Sequence, residues 1–133
     1  MVDTNVIIDI FTKRDPWFMD SYTALTQTLK SENNECLISA SAATDIFYLL
    51  CKALGDRDKA KEVLETLSMI VTIADVNASD IQSALSSMMT DFEDAVVDAV
   101  AKRYGASYTL TRNTRDYQNS LVPAITPIDY LNS

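Results

Sequence analysis

The chain has no histidine, and among its 133 residues only two are glycine, three proline and two cysteine. Without histidine there is no His-based catalytic triad, no imidazole metal ligand and no imidazole acid–base pair. Proton or metal chemistry must therefore rest on carboxylates, hydroxyls, lysine or tyrosine. The shortage of glycine and proline, with 47% hydrophobic residues, describes a helix-rich folded chain and not a disordered one. Cys36 and Cys51 lie in apolar contexts and read as reduced core thiols in place of a staple. Long apolar runs are also missing: Ile46-Phe47-Tyr48-Leu49-Leu50-Cys51 is far too short to span a bilayer. Asp3 stands where a signal peptide would carry positive charge, so a cytoplasmic location is expected. Basic residues are outnumbered, 11 against 19 acids, for a net charge of −8. That balance disfavours strong nonspecific binding to nucleic acid, yet it also arises when carboxylates are gathered around a cation.

What is present alternates strand and helix. Extended segments are expected at Met1–Asp3, Cys36–Ser39, Ile70–Ile73, Tyr108–Thr111 and Ala124–Thr126. Helices are expected from the turn after Asp3 to Phe11, from Pro16 to Glu32, from Ser41 to Leu54, from Asp56 to Met69, from Asn77 to Met89 and from Asp91 to Tyr104. The pattern implies a single α/β domain over residues 1–133, with parallel strands and helices on both faces of the sheet. In such sheets the ligand crevice lies beyond the carboxyl ends of the strands.

Four polar features fall at such ends. Asp3-Thr4-Asn5 follows the first strand; a helix cap explains one acid there, but three consecutive capping residues exceed what one helix start requires. Asp45 sits near the start of an otherwise apolar helix, where either the helix dipole or a functional role accounts for it, and its neighbours suggest partial burial. Thr90 to Glu93 matches a capping box, and Asp91, Asp94 and Asp98 then share one helix face with no basic residue until Lys102. Finally Thr111-Arg112-Asn113-Thr114-Arg115-Asp116-Tyr117 carries a strand into a polar loop, readable as a solvated turn or as ligands beside phosphate-binding cations. Two carboxylates about 5 Å apart repel by about 3 kcal/mol at an effective dielectric of about 20. A cluster of them needs a cation or retained protons. An all-oxygen donor set suits Mg²⁺ or Mn²⁺.

In order and spacing, Asp3-Thr4-Asn5, Ser39-x5-Asp45, Asp91-Phe92-Glu93-Asp94-Ala95 and Thr111-Arg112-Asn113-x-x-Asp116-Tyr117 resemble PIN-domain proteins, in particular the prokaryotic branch with the VapC-type toxin ribonucleases. The resemblance implies a three-layer PIN-like fold, with a parallel sheet of about five strands, and Mg²⁺- or Mn²⁺-dependent hydrolysis of RNA. It carries Asp3, Asp45 and Asp94 over as the first three acids, Asp91 as a companion and Asp116 as the fourth, with Thr4, Asn5, Thr111 and Asn113 as polar support. Arg112, Arg115, Lys13 and Arg14 are the expected contacts to the RNA backbone. A homodimer and a small antitoxin protein are the implied partners. The chain departs from the family pattern in three places: Asp45 stands for the usual Glu, Asn113 for a frequent acid, and only Met1 and Val2 precede Asp3. A second reading is therefore a PIN-like domain with weakened catalysis that works as an RNA- or protein-binding module.

Overall fold

Three residues, Met1 to Asp3, lie at the centre of the sheet. In the computed structural model, which describes Met1–Ser133, the strands are β1 (Leu37–Ser39), β2 (Thr72–Ala74), β3 (Thr109–Leu110) and β4 (Ala124–Ile125). They form two parallel pairs: β1 with β2, where Ile38 faces Ile73, and β3 with β4, where Leu110 faces Ile125. The Val2 amide donates to the Leu37 carbonyl at 2.8 Å, the Leu110 amide to the Met1 carbonyl at 2.8 Å, and the Asp3 amide to the Leu110 carbonyl at 2.9 Å. The extended segments thus lie in the order β2, β1, residues 1–3, β3, β4. The regular sheet is smaller than the expected five strands. Each pair is only two or three residues long, and Met1–Asp3 contributes one bridge, between Val2 and Leu110, because the next helix starts at Thr4.

The helices are α1 (Thr4–Phe11), α2 (Phe18–Lys30), α3 (Ala40–Leu54), α4 (Arg57–Ile70), α5 (Ala78–Leu85), α6 (Phe92–Arg103) and α7 (Pro127–Leu131). Consecutive residues of an extended chain point to opposite faces, and both faces are covered. Val2 and Ile38 enter a core with Val6, Ile7, Ile46 and Leu50 from α1 and α3. Met1 and Leu37 enter another with Val97, Val100 and Ala101 from α6. Both cysteines are free thiols, as their apolar contexts suggested.

Local chemistry sets the helix boundaries, with some differences from expectation. Ser39 caps α3 by accepting from the Ser41 amide, and Gly55 ends it at φ +67°, where a Cβ would be strained. Asn77 and Asp80 form a reciprocal capping box on α5. At α6 the expected Thr90–Glu93 box is replaced by a cap one residue later: the Asp91 carboxylate accepts from the Asp94 amide at 2.9 Å. α2 begins at Phe18, after Pro16, and α5 ends at Leu85, short of Met89.

Asp98 also departs from the reading of an open acidic face. It is 2% exposed and accepts from the backbone amides of Leu121 (2.8 Å) and Val122 (3.0 Å), tying the approach to β4 onto α6. Its role is structural. Asp98→Ala should lower the unfolding free energy by about 2–3 kcal/mol, through two amides left without an acceptor. Urea denaturation of the variant against wild type measures this.

Candidate active site

Asp3 is both the last residue of its extended segment and the N-cap of α1, so the cap and the site acid are one residue. Its Oδ1 accepts from the Thr4 amide at 2.8 Å. Its Oδ2 accepts from the Thr111 hydroxyl at 2.8 Å and from the Asn5 amide group at 3.2 Å. The Thr111 hydroxyl in turn accepts from the Asn5 side chain (3.2 Å) and from the Asn113 backbone amide (3.1 Å). Asn5 Oδ1 accepts from the Arg112 amide at 3.1 Å. Thr4 and Asn5 thus hold Asp3 locally and Thr111 holds it from 108 residues away, while Asn113 contributes its backbone and leaves its side chain exposed.

Asp94, in the first turn of α6, is half-buried nearby. Burial, followed by the charges of Asp3, Asp91, Asp116 and Glu93, pushes its carboxyl up to about 7. Asp3 is also raised, mainly by burial and further by Asp116, against the lowering effect of the Thr111 and Thr4 hydrogen bonds. Asp116 lies in a 3₁₀ turn over Thr114–Tyr117 and is exposed. Asp3, Asp91, Asp94 and Asp116 therefore form one electrostatic group, drawn from two helix starts and one strand-end loop. Glu93 belongs to it as well. The sequence reading gave Glu93 only a capping role, although its place beside Asp94 was a usable signal.

Asp3, Glu93 and Asp94 open onto a cleft of about 640 Å³ that Asp45, Tyr48 and Leu49 of α3 also line. Asp45 was expected to be partly buried and is exposed. The helical phase explains it: Ala42, Ile46 and Leu50 take the core face of α3, and Asp45 turns outward onto the cleft rim. It is not among the charges that lift Asp94. A smaller cavity, about 250 Å³, lies at the opposite end of the strands beside Met1, Cys36 and Tyr108 and contains none of these aspartates.

The basic residues separate into two groups. Arg112 is committed within the chain: its Nε donates to Asp9 Oδ2 at 2.6 Å and its Nη2 to Asp9 Oδ1 at 3.2 Å, and its guanidinium lies 4.1 Å from the Trp17 ring centroid. Asp9 is fully buried. Sequence reasoning overlooked it, although an acid inside Val6-Ile7-Ile8-Asp9-Ile10 is the kind of buried charge that demands a partner. Arg115 is exposed on the 3₁₀ turn next to Asp116; Lys13 and Arg14 are exposed beyond the far end of α1, about 12 Å along its axis from Asp3.

The donor chemistry fits a hard divalent cation, since every side chain offered is an oxygen donor and the group carries unbalanced negative charge. No three carboxylates converge closely enough to hold an ion by themselves. The arrangement suits an ion held by one or two carboxylates with water completing its shell, the habit of Mg²⁺.

The elevated carboxyls give a pH signature. A group whose folded pKa exceeds its unfolded value holds its proton in the folded state, so its stabilising contribution is complete below about pH 4 and is lost as the pH rises through about 7. In chelator, wild type should lose stability relative to Asp94→Asn as pH rises from 4 to 7.5. Thermal unfolding across that range checks the sign; a constant difference between the two proteins would remove Asp94 as the source.

The sequence profile of the PIN domain matches residues 1–115. Among solved structures, the chain is similar to one from VapBC2 of Rickettsia felis bound to a promoter DNA fragment: 16% identity, TM-score 0.76, 95% of this chain and 96% of that one covered. A chain of a toxin–antitoxin complex from Klebsiella pneumoniae gives 21% identity and a TM-score of 0.70, with 95% of each chain covered. A chain of FitAB bound to an IR36 DNA fragment gives 15% and 0.71, covering 95% of this chain and 93% of that one. At these identities the likeness concerns the fold. No curated protein sequence matches. With 115 of its residues under that profile, and with the fold to go with it, the chain belongs to the PIN domain family.

Proposed function

We propose that this chain is a Mg²⁺- or Mn²⁺-dependent ribonuclease, built as one domain over residues 1–133 and acting as the toxin of a VapC-type toxin–antitoxin pair. The observation that carries this reading is the gathering of Asp3, Asp91, Asp94 and Asp116 at one end of the sheet, where Asp3, Glu93 and Asp94 line an open cleft. Carboxylates concentrated in this way, without an internal cation, favour binding of an external one. The Val2–Leu110 bridge supports one continuous sheet of five extended segments, whose carboxyl ends carry Asp3 and the loop to Asp116.

Asp3 and Asp94 would hold the ion, and Asp45, Asp91 and Asp116 would act through its waters. The bound ion supplies a lowered water pKa and charge stabilisation at the scissile phosphate. Thr4, Asn5 and Thr111 fix the Asp3 carboxylate so that it need not reorganise. Exposed Arg115 is the nearest of the proposed RNA contacts along the chain to the acids, with Lys13 and Arg14 further out; Arg112 acts by anchoring the loop. A small antitoxin partner is supported by the Klebsiella pneumoniae toxin–antitoxin complex among the structural neighbours. A homodimer and a cytoplasmic location complete the reading, and no helix is long and apolar enough to cross a membrane.

Two observations favour the second reading, a catalytically weakened RNA- or protein-binding module: Asp45 is exposed on the rim, and no three carboxylates converge. An RNA cleavage assay with Mg²⁺, with Mn²⁺ and with chelator separates the two. Cleavage should require the ion, and Asp3→Asn should reduce it at least about 100-fold, because even outer-shell partners of a metal contribute about 10–100-fold. Ion-independent cleavage, or full activity in Asp3→Asn, would overturn the nuclease assignment to this site.

A further inference from the structure

Tyr117 closes the 3₁₀ turn that carries Asp116, and it is 3% exposed. Its ring packs with Ala84, Met89, Ala95 and Val96, a contact that phenylalanine would make equally well. The hydroxyl is the part that packing does not explain. Three buried side-chain oxygens in the chain find no hydrogen-bond partner, those of Ser21, Thr109 and Tyr117, and only the last belongs to the strand-end loop of the acidic site. A buried hydroxyl without a partner costs about 1–3 kcal/mol. Tyr117 follows Asp116 and packs in one cluster with Ala95, the neighbour of Asp94, which sets its hydroxyl among the acids of the site. Burial first, and then the charges of Asp3, Asp94, Asp98 and Asp91, raise the phenol, and the hydroxyl in turn helps hold the Asp3 carboxyl down.

The neighbouring carboxylate has room for it. Asp3 accepts three hydrogen bonds, from Thr4, Asn5 and Thr111, and an ionised carboxylate offers about four lone-pair sites. A phenol can donate and accept at once. It is therefore suited to bridge a carboxylate, which only accepts, and a water that has a proton to give.

We propose that Tyr117 is a positioning residue of the acidic site: when a divalent ion binds, its hydroxyl donates to Asp3 and accepts from a water of the ion's shell. The proposal rests on the metal-site reading above. It accounts for a buried hydroxyl that no other group of the chain satisfies, at a position whose packing needs only the ring.

The test compares wild type with Tyr117→Phe, using MnCl₂ as the probe in titration calorimetry and in ultraviolet difference spectroscopy. Without the ion, the variant should unfold at the same temperature as wild type or slightly higher, since it loses only an unpaired oxygen. Its Mn²⁺ affinity should fall about tenfold, the lower end of what outer-shell partners contribute. Mn²⁺ should also produce a tyrosine difference spectrum in wild type that is missing in the variant. Equal Mn²⁺ affinity in the two proteins, or the same difference spectrum in both, overturns the role of Tyr117 and leaves the metal site standing. Wild type that binds no Mn²⁺ overturns both.

Discussion

Two strand pairs that share no ladder become one structural unit through the backbone of Met1–Asp3. The Val2 amide reaches β1, and the Met1 carbonyl and Asp3 amide reach β3. Each bond contributes only about 0.5–1.5 kcal/mol net, but their placement decides the fold. They seat Val2 in one core and Met1 in the other, so a single extended segment aligns the packing on both faces of the sheet. They also set down Asp3 where the chain leaves the sheet and α1 begins. Its side chain repeats across the gap what its backbone does, accepting from Thr111 just past β3.

That economy of position has an electrostatic consequence. The start of α6 and the turn after β3 come to the same end of the sheet as the start of α1, and each brings aspartate. Helix starts favour carboxylates individually, through their free amides and dipoles. Brought together, the same carboxylates repel one another, and the fold accommodates this by favouring protons on Asp3 and Asp94. Elsewhere the chain balances its buried acids internally. Asp80 is held by Arg103, Asp9 by Arg112, and Asp98 by two backbone amides. The acids at the strand ends are the group left without an internal cation.

The sequence made the local features legible. Alternation of apolar runs and caps located the helix cores and the neighbourhood of each extended segment, although Ile70 closes α4 and β2 runs over Thr72–Ala74, and runs of capping residues marked Asp3-Thr4-Asn5 and the start of α6. Both Asp3 and Thr111 fall at strand ends in that reading, and the family resemblance is what assigned Thr111 a supporting role beside Asp3. What escaped was whatever depends on facing partners. The Asp9–Arg112 pair joins residues 103 positions apart, and nothing local to Arg112 distinguishes an anchored guanidinium from one free to meet phosphate. Asp98 looked like a third member of an acidic face because helical spacing gives the face but not what covers it; its covering is the Leu121–Val122 backbone. Asp45 was within reach, since the phase of Ala42, Ile46 and Leu50 turns it outward, but the apolar character of its neighbours obscured that phase.

Anchoring Arg112 to Asp9 also removes one of the few positive charges that could have faced a ligand, in a chain whose net charge is already −8. The long-range field met by an approaching polyanion is therefore repulsive, and exposed cations such as Arg115 act only at short range. For most proteins that bind nucleic acid, added salt slows encounter by screening an attraction. Here the screened interaction has the opposite sign: moderate ionic strength, by shortening the Debye length to about 8–10 Å, speeds the approach of a polyanion to this surface.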